Sequence, residues 1–261
     1  MIDLILAWSG GKDSTLALTA LRADPRYRVV ALLTTVTREY DRISIHGVRR
    51  AVLEAQVSAL GLPLIEASIP AGSSNADYEA AFALALGTAQ ERWPGVRHVA
   101  FGDLFLADVR AYREAQLASL GWIGVFPLWG EDTAVLARRF VESGYRAILT
   151  CVDTTQLGPE FAGREFDAAL LAELPETVDP CGERGEFHTC VYAGPPFARP
   201  LRLIAGERVR RDARFEYCDV LLAPGRAADA GSSEQPEGAE PAIFTLPATP
   251  AAHPHIYGRA P

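Results

Sequence analysis

Hydrophobic residues along the chain fall into two alternating patterns. Ile2 to Trp8 is apolar but for Asp3 near its start, as expected for a strand covered on both faces. Lys12 to Arg22 then carries Leu16, Ala17, Ala20 and Leu21 at helical spacing. Arg28–Thr34 reads as a second buried strand, Val48–Leu60 as a helix stopped by Gly61, and Leu64–Ala67 as a third strand. Ala76–Trp93 predicts a long alanine-rich helix ended by Pro94, followed by a strand at His98–Phe101. A helix over Asp108–Leu120 and a strand over Trp122–Phe126 complete the series. Apolar strands alternating with amphipathic helices predict an α/β fold, a five-stranded parallel sheet with helices on both faces and right-handed crossovers.

The rhythm changes after Pro127. Glu131–Ser143 is helical and Tyr145–Val152 is a strand. A glycine- and proline-rich stretch surrounds Cys181, and Glu186–Tyr192 and Glu207–Leu222 are strand-rich. The expected organisation is therefore an α/β domain over 1–126, a smaller α+β region over 127–223, and a tail over 224–261. The tail is rich in Pro, Ala, Gly, Ser and Glu. Such composition buries too little apolar surface to offset ordering entropy, so disorder is expected there.

Composition narrows the function classes. The 261 residues carry 25 basic and 33 acidic side chains, a formal net charge of −8. This argues against broad nucleic-acid or anionic-membrane binding, which needs surface cations. No stretch has the apolar length of a membrane helix. The N-terminal apolar run is short and reads as a strand, not a signal peptide. The four cysteines, Cys151, Cys181, Cys190 and Cys218, form no CxxC pair, and the histidines and cysteines show no zinc spacing. A cytoplasmic protein with reduced thiols is expected. Lys12 is the single lysine among the 25 basic residues, and it sits in Ser9-Gly10-Gly11-Lys12-Asp13-Ser14.

That hexapeptide joins the first strand to the first helix, where open α/β sheets bind ligands. Paired glycines let backbone N–H groups approach a ligand, and the helix behind offers unpaired donors and its positive dipole end. Ser9 and Ser14 add hydroxyls and Lys12 a full charge. Together they predict a phosphate or pyrophosphate cradle. It is not a Walker A loop, which needs Ser or Thr directly after the lysine, where Asp13 stands.

SGGKDS after a first parallel strand resembles the PP-loop of the ATP pyrophosphatase superfamily, which implies a Rossmann-like (HUP-type) fold and cleavage of ATP to AMP and pyrophosphate. Further segments resemble the diphthine–ammonia ligase family in order and spacing. They are His46-Gly47-Val48-Arg49, Gln56 with Leu60-Gly61-Leu62-Pro63, Phe101-Gly102-Asp103, Phe126-Pro127-Leu128-Trp129-Gly130, and the more specific Cys181-Gly182-Glu183-Arg184-Gly185-Glu186-Phe187-His188-Thr189. The resemblance spans about residues 2–197. It implies an AMP-forming ligase that adenylates a carboxylate and then transfers ammonia or an amine. ATP and Mg²⁺ are the implied cofactors.

The site residues expected on this basis are Ser9, Gly10, Gly11, Lys12, Asp13, Ser14, Thr34, His46, Gly102 and Asp103 for the nucleotide. Thr34 and Thr35 end the second strand, where related folds hold adenosine. Asp103 follows the fourth strand and is the candidate Mg²⁺ ligand, or else a turn aspartate. Lys12, Glu183, Glu186 and His188 are the catalytic candidates. Two carboxylates three residues apart on a glycine-rich loop can orient an amine, act as its base, or meet a metal; an exposed acidic hairpin is the bland alternative. Cys181 reads as structural. The carboxylate acceptor, a small molecule or a modified protein side chain, is open, as is assembly into a homo-oligomer. Two other functions compete: an ATP-binding sensor without turnover, and a tRNA-modifying PP-loop ligase.

Overall fold

The computed structural model describes residues 1–224. The expectation for 224–261 thus lies, beyond Pro224, outside the described residues. Five strands form a parallel sheet: β1 (Ile2–Ala7), β2 (Tyr27–Thr37), β4 (Leu64–Ile69), β5 (His98–Ala100) and β6 (Ile123–Val125). β1 lies at the centre between β2 and β5, β4 pairs with β2, and β6 pairs with β5, all parallel. A two-residue antiparallel strand, β3 (Arg42–Ile43), adds to the far end of β2. It is too short to leave a period in the sequence. The helices are α1 (Lys12–Ala23), α2 (Arg50–Leu60), α3 (Asn75–Arg92) and α4 (Ala107–Ser119). This is the Rossmann-like architecture the alternation predicts.

Strand alternation divides the core. Ile5, Ala31, Leu33, Ile65 and Val99 point to one face and pack with Phe82, Leu86 and Leu117 of α3 and α4. Leu4, Leu6 and Leu32 point to the other and pack with Leu18 and Leu21 of α1 and Leu53 of α2. Both faces being covered explains why β1 is apolar from Leu4 onward.

The remaining elements are α5 (Thr133–Glu142), β7 (Arg146–Asp153), a short α6 (Ala168–Glu173), β8 (Phe187–Ala193), β9 (Leu203–Arg211) and β10 (Phe215–Leu222). The four strands form an antiparallel sheet in the order β8-β7-β10-β9. The single strand-rich stretch 207–222 resolves into a hairpin, turned at Asp212 and Ala213, whose φ values are +51° and +52°. Leu149, Val152, Phe187, Val191 and Val220 of this sheet belong to the same cluster as Leu4, Leu6 and α1. β8 therefore lies against α1, which carries the residue block 181–189 to the loop after β1. Among the described residues no helix is long and apolar enough to cross a membrane, and all four cysteines are free and buried.

Candidate active site

The loop Trp8–Gly11 joins β1 to α1 at the carboxyl edge of the parallel sheet. Gly10 takes φ +77°, and a Cβ there would stand 2.7 Å from Gln56 Oε1. A Cβ on Gly11 would meet the Thr189 carbonyl at 3.0 Å, so β8 comes within backbone reach of the loop. α1 starts at Gly11 with no side-chain cap, unlike α3, which Ser74 and Asp77 close with a capping box. Gly11 N–H is taken by Ser9 Oγ and Lys12 N–H by Thr189 Oγ1, which leaves the next N–H groups of the turn for a ligand.

Three contacts dock this loop on the second sheet. Val191 N–H donates to the Gly10 carbonyl at 2.8 Å. Lys12 N–H donates to Thr189 Oγ1 at 3.0 Å. The fully buried Gln56 amide donates to Gly10 O (3.0 Å) and Val191 O (2.6 Å) and accepts from the Trp8 indole (3.2 Å). Lys12 Nζ donates to both Asp13 oxygens (2.9 and 2.8 Å) and to the Cys181 carbonyl. Burial pulls the Lys12 ammonium down, but Asp13 beside it and further negative groups outweigh this and hold it charged.

Above the loop lies a cavity of about 220 Å³. Ser9, Gly11, Lys12, Asp13, Ser14, His46, Gly102, Asp103, Glu183 and His188, all expected at the site, line it together. Three expected residues do not. Gly10 turns its α-carbon to Gln56. Thr34 is buried and donates to the Trp8 carbonyl at 2.7 Å; by strand alternation it is Thr35 that reaches the cavity. Glu186 is wholly buried, with Oε1 accepting from Asp179 N–H and Oε2 from Arg184 N–H, both at 2.9 Å. It braces its own loop. Asp179 does the same from the other side, accepting from the N–H groups of Cys181 (2.9 Å) and Glu183 (3.2 Å) and from the Thr133 hydroxyl (2.7 Å).

Glu183 is bonded on one oxygen only. Oε1 accepts from Leu104 N–H (2.8 Å) and Phe105 N–H (3.4 Å), fastening the loop after β5. Burial, then the charges of Asp13 and Asp103, push its carboxyl up to about 7. Asp103, the candidate Mg²⁺ ligand, is paired to Arg113 at 2.6 Å, with both side chains largely buried. Among the described residues no group of three or more His, Cys, Asp or Glu is placed to hold a metal ion. Cys181 is buried, donates to the Thr133 carbonyl (3.3 Å), and its thiol is pushed up by burial, so it is no thiolate nucleophile.

His46 comes from the loop after β3 and His188 from β8, and their rings meet with centroids 4.5 Å apart. Burial, then Lys12, lowers His46 to about 4, with the nearby Thr189 backbone pulling the other way. Burial, then His46 and Lys12, lower His188 well below the usual imidazole value, against the pull of Asp153. Both rings are neutral near pH 7.

Thr35, named with Thr34 at the end of the second strand, lines the cavity; so do Thr37, Tyr78, Phe82, Arg113 and Thr189, which were not among the expected residues. Thr35 and Thr37 are legible as the alternate face of a strand longer than the apolar run suggests. Arg113 lies ten residues after Asp103 on another element, a pairing that no local spacing marks.

The family model for the diphthamide synthase N-terminal domain matches residues 2–115, and that for the diphthamide synthase C-terminal domain matches residues 132–220. No curated protein matches the chain. The two matches cover most of the chain and, in order, both of its sheets; the chain belongs to the diphthamide synthase family.

Proposed function

We propose that the chain is an ATP-dependent, AMP-forming amide ligase. Family membership supports an enzyme of the ligase kind. The observation that carries the finer reading is the uncapped, glycine-lined start of α1, with Lys12 and Ser14, on the floor of the cavity. This loop would hold the β- and γ-phosphates of ATP, while a substrate carboxylate attacks the α-phosphorus. Positioning and charge stabilisation of departing pyrophosphate are then the main rate terms. Ammonia or an amine next displaces AMP from the acyl adenylate. Thr35 and Thr37 line the cavity and in this reading would meet the nucleoside. Among the described residues Asp103 is paired to Arg113 and Asp13 to Lys12, and Mg²⁺ enters this reading as part of the MgATP substrate.

The test is product analysis over a panel of carboxylates with ammonium. AMP and pyrophosphate should appear only with substrate, and Lys12→Ala should suppress both. Release of ADP and orthophosphate overturns the mechanism, and substrate-independent ATP binding without turnover would favour a sensor.

A further inference from the structure

The ligase reading needs a place for the nitrogen nucleophile. From sequence that task falls to Glu183 and Glu186, yet both Glu186 oxygens and one Glu183 oxygen are spent on backbone amides. The cavity offers another acceptor. His46 and His188 touch across the gap between the two sheets, and both line the cavity. His46 Nδ1 is buried without a hydrogen-bond partner. A buried polar atom left unpaired forfeits the hydrogen bond it makes in water, so such an atom calls for an explanation. The backbone is contorted where it delivers this ring: Ile45, β-branched and on the cavity wall, sits at φ +68°, and Gly47 at +67°.

We propose that the His46–His188 pair is the receiving site for the nitrogen nucleophile, with His46 Nδ1 accepting an N–H of ammonia. The charge of Lys12 bears on both rings, and that of Asp153, itself held by Arg214, on His188. A site with a fixed positive charge and two neutral imidazoles disfavours ammonium and favours ammonia, whose lone pair is free to attack. The step rests on the adenylation reading above. Nitrogen forms the C–N bond to the acyl carbon, the C–O bond to AMP breaks, and AMP leaves with the electron pair. The surplus N–H proton passes to the imidazole and then to solvent.

The site can be tested without knowing the carboxylate. The full chain, with ¹⁵N-labelled histidine, is titrated with ammonium chloride at alkaline pH, where much of the ammonium is free ammonia, and in parallel with potassium chloride. Expected is a saturable shift of the His46 and His188 ring nitrogens with ammonia alone. In His46→Leu the His188 response should weaken about tenfold or more, whereas His46→Asn, whose amide oxygen can stand near Nδ1, should retain part of it. A non-saturating shift, an equal shift with potassium, or a His188 response unchanged in His46→Leu overturns the proposal; the first two need no variant. ATP affinity, measured on the same samples, separates the two readings. Saturable ammonia uptake in a chain that does not bind ATP supports the histidine site and refutes adenylation.

Discussion

Lys12 Nζ is enclosed by the Asp13 carboxylate, the Cys181 carbonyl and the rings of Phe187 and Phe166, whose centroids lie 5.5 and 5.9 Å away. The space suits a compact ammonium on a flexible stem and leaves none for a planar five-donor fork. Its being the single lysine among 25 basic residues thus has a steric reason. Lys12→Arg should weaken ATP binding by about tenfold or more and lower the melting temperature, since overpacking costs about 1–3 kcal/mol; isothermal titration and thermal melts decide, and wild-type affinity would contradict it. Glu183 gives a pH-dependent prediction. Its carboxyl is raised from 4.5 to about 7, so the folded state holds a proton that the unfolded state has released between these values. The stability this gives is complete below about pH 4.5 and is lost as pH rises through 7. Glu183→Gln removes the cost of the buried charge while leaving an oxygen for Leu104 N–H. Its melting temperature should therefore gain on wild type between pH 5 and 8, by up to ~3 kcal/mol in stability. An offset that is the same at both pH values would contradict this.

At the scale of elements, the loop 179–186 is a knot of carboxylates bonded to N–H groups. Asp179 holds Cys181 and Glu183, Glu186 holds Asp179 and Arg184, and Glu183 holds Leu104. Glu186→Ala should thus act on stability, losing about 1–3 kcal/mol because the buried Asp179 N–H is orphaned and the half-buried Arg184 N–H loses its acceptor. Lost turnover with an unchanged melting temperature would restore a chemical role to Glu186. Sequence alone could rank the two glutamates no further, because residue type and spacing do not say whether an oxygen faces a ligand or a neighbouring amide. The same limit explains Thr34 and Thr35: the end of β2 was legible, its facing was not, since a strand buried on both sides lacks the polar alternation that fixes which side is which. Elements with a long period, such as α1, α3 and β1, were read within a few residues. The six-residue α6 and two-residue β3 were missed because neither completes two turns or two alternations.

At the scale of the whole molecule, the two sheets share one apolar cluster in which Leu4, Leu6 and Trp8 meet Leu149, Phe187 and Val220. The polar ties run the same way. Arg42 and Arg49, from the segment between β2 and α2, both reach Asp219 on β10, at 2.8 and 2.6 Å. Asp219 is lowered from its ordinary value: burial pushes up, and the two guanidinium groups more than offset it. This arrangement couples the cavity to the union of the sheets, because its floor belongs to α1 and its far wall, His188 and Thr189, to β8. Residues 1–126 and 127–223 should accordingly unfold together, although composition and periodicity set them apart. We expect one calorimetric transition for the full chain, with matching calorimetric and van't Hoff enthalpies. Asp219→Ala leaves two arginines without their carboxylate and should cost about 1–3 kcal/mol, lowering that single transition by roughly 2–10 °C without splitting it. Two resolved transitions, in wild type or variant, would show that the sheets are stable apart and that the cavity wall can separate from its floor.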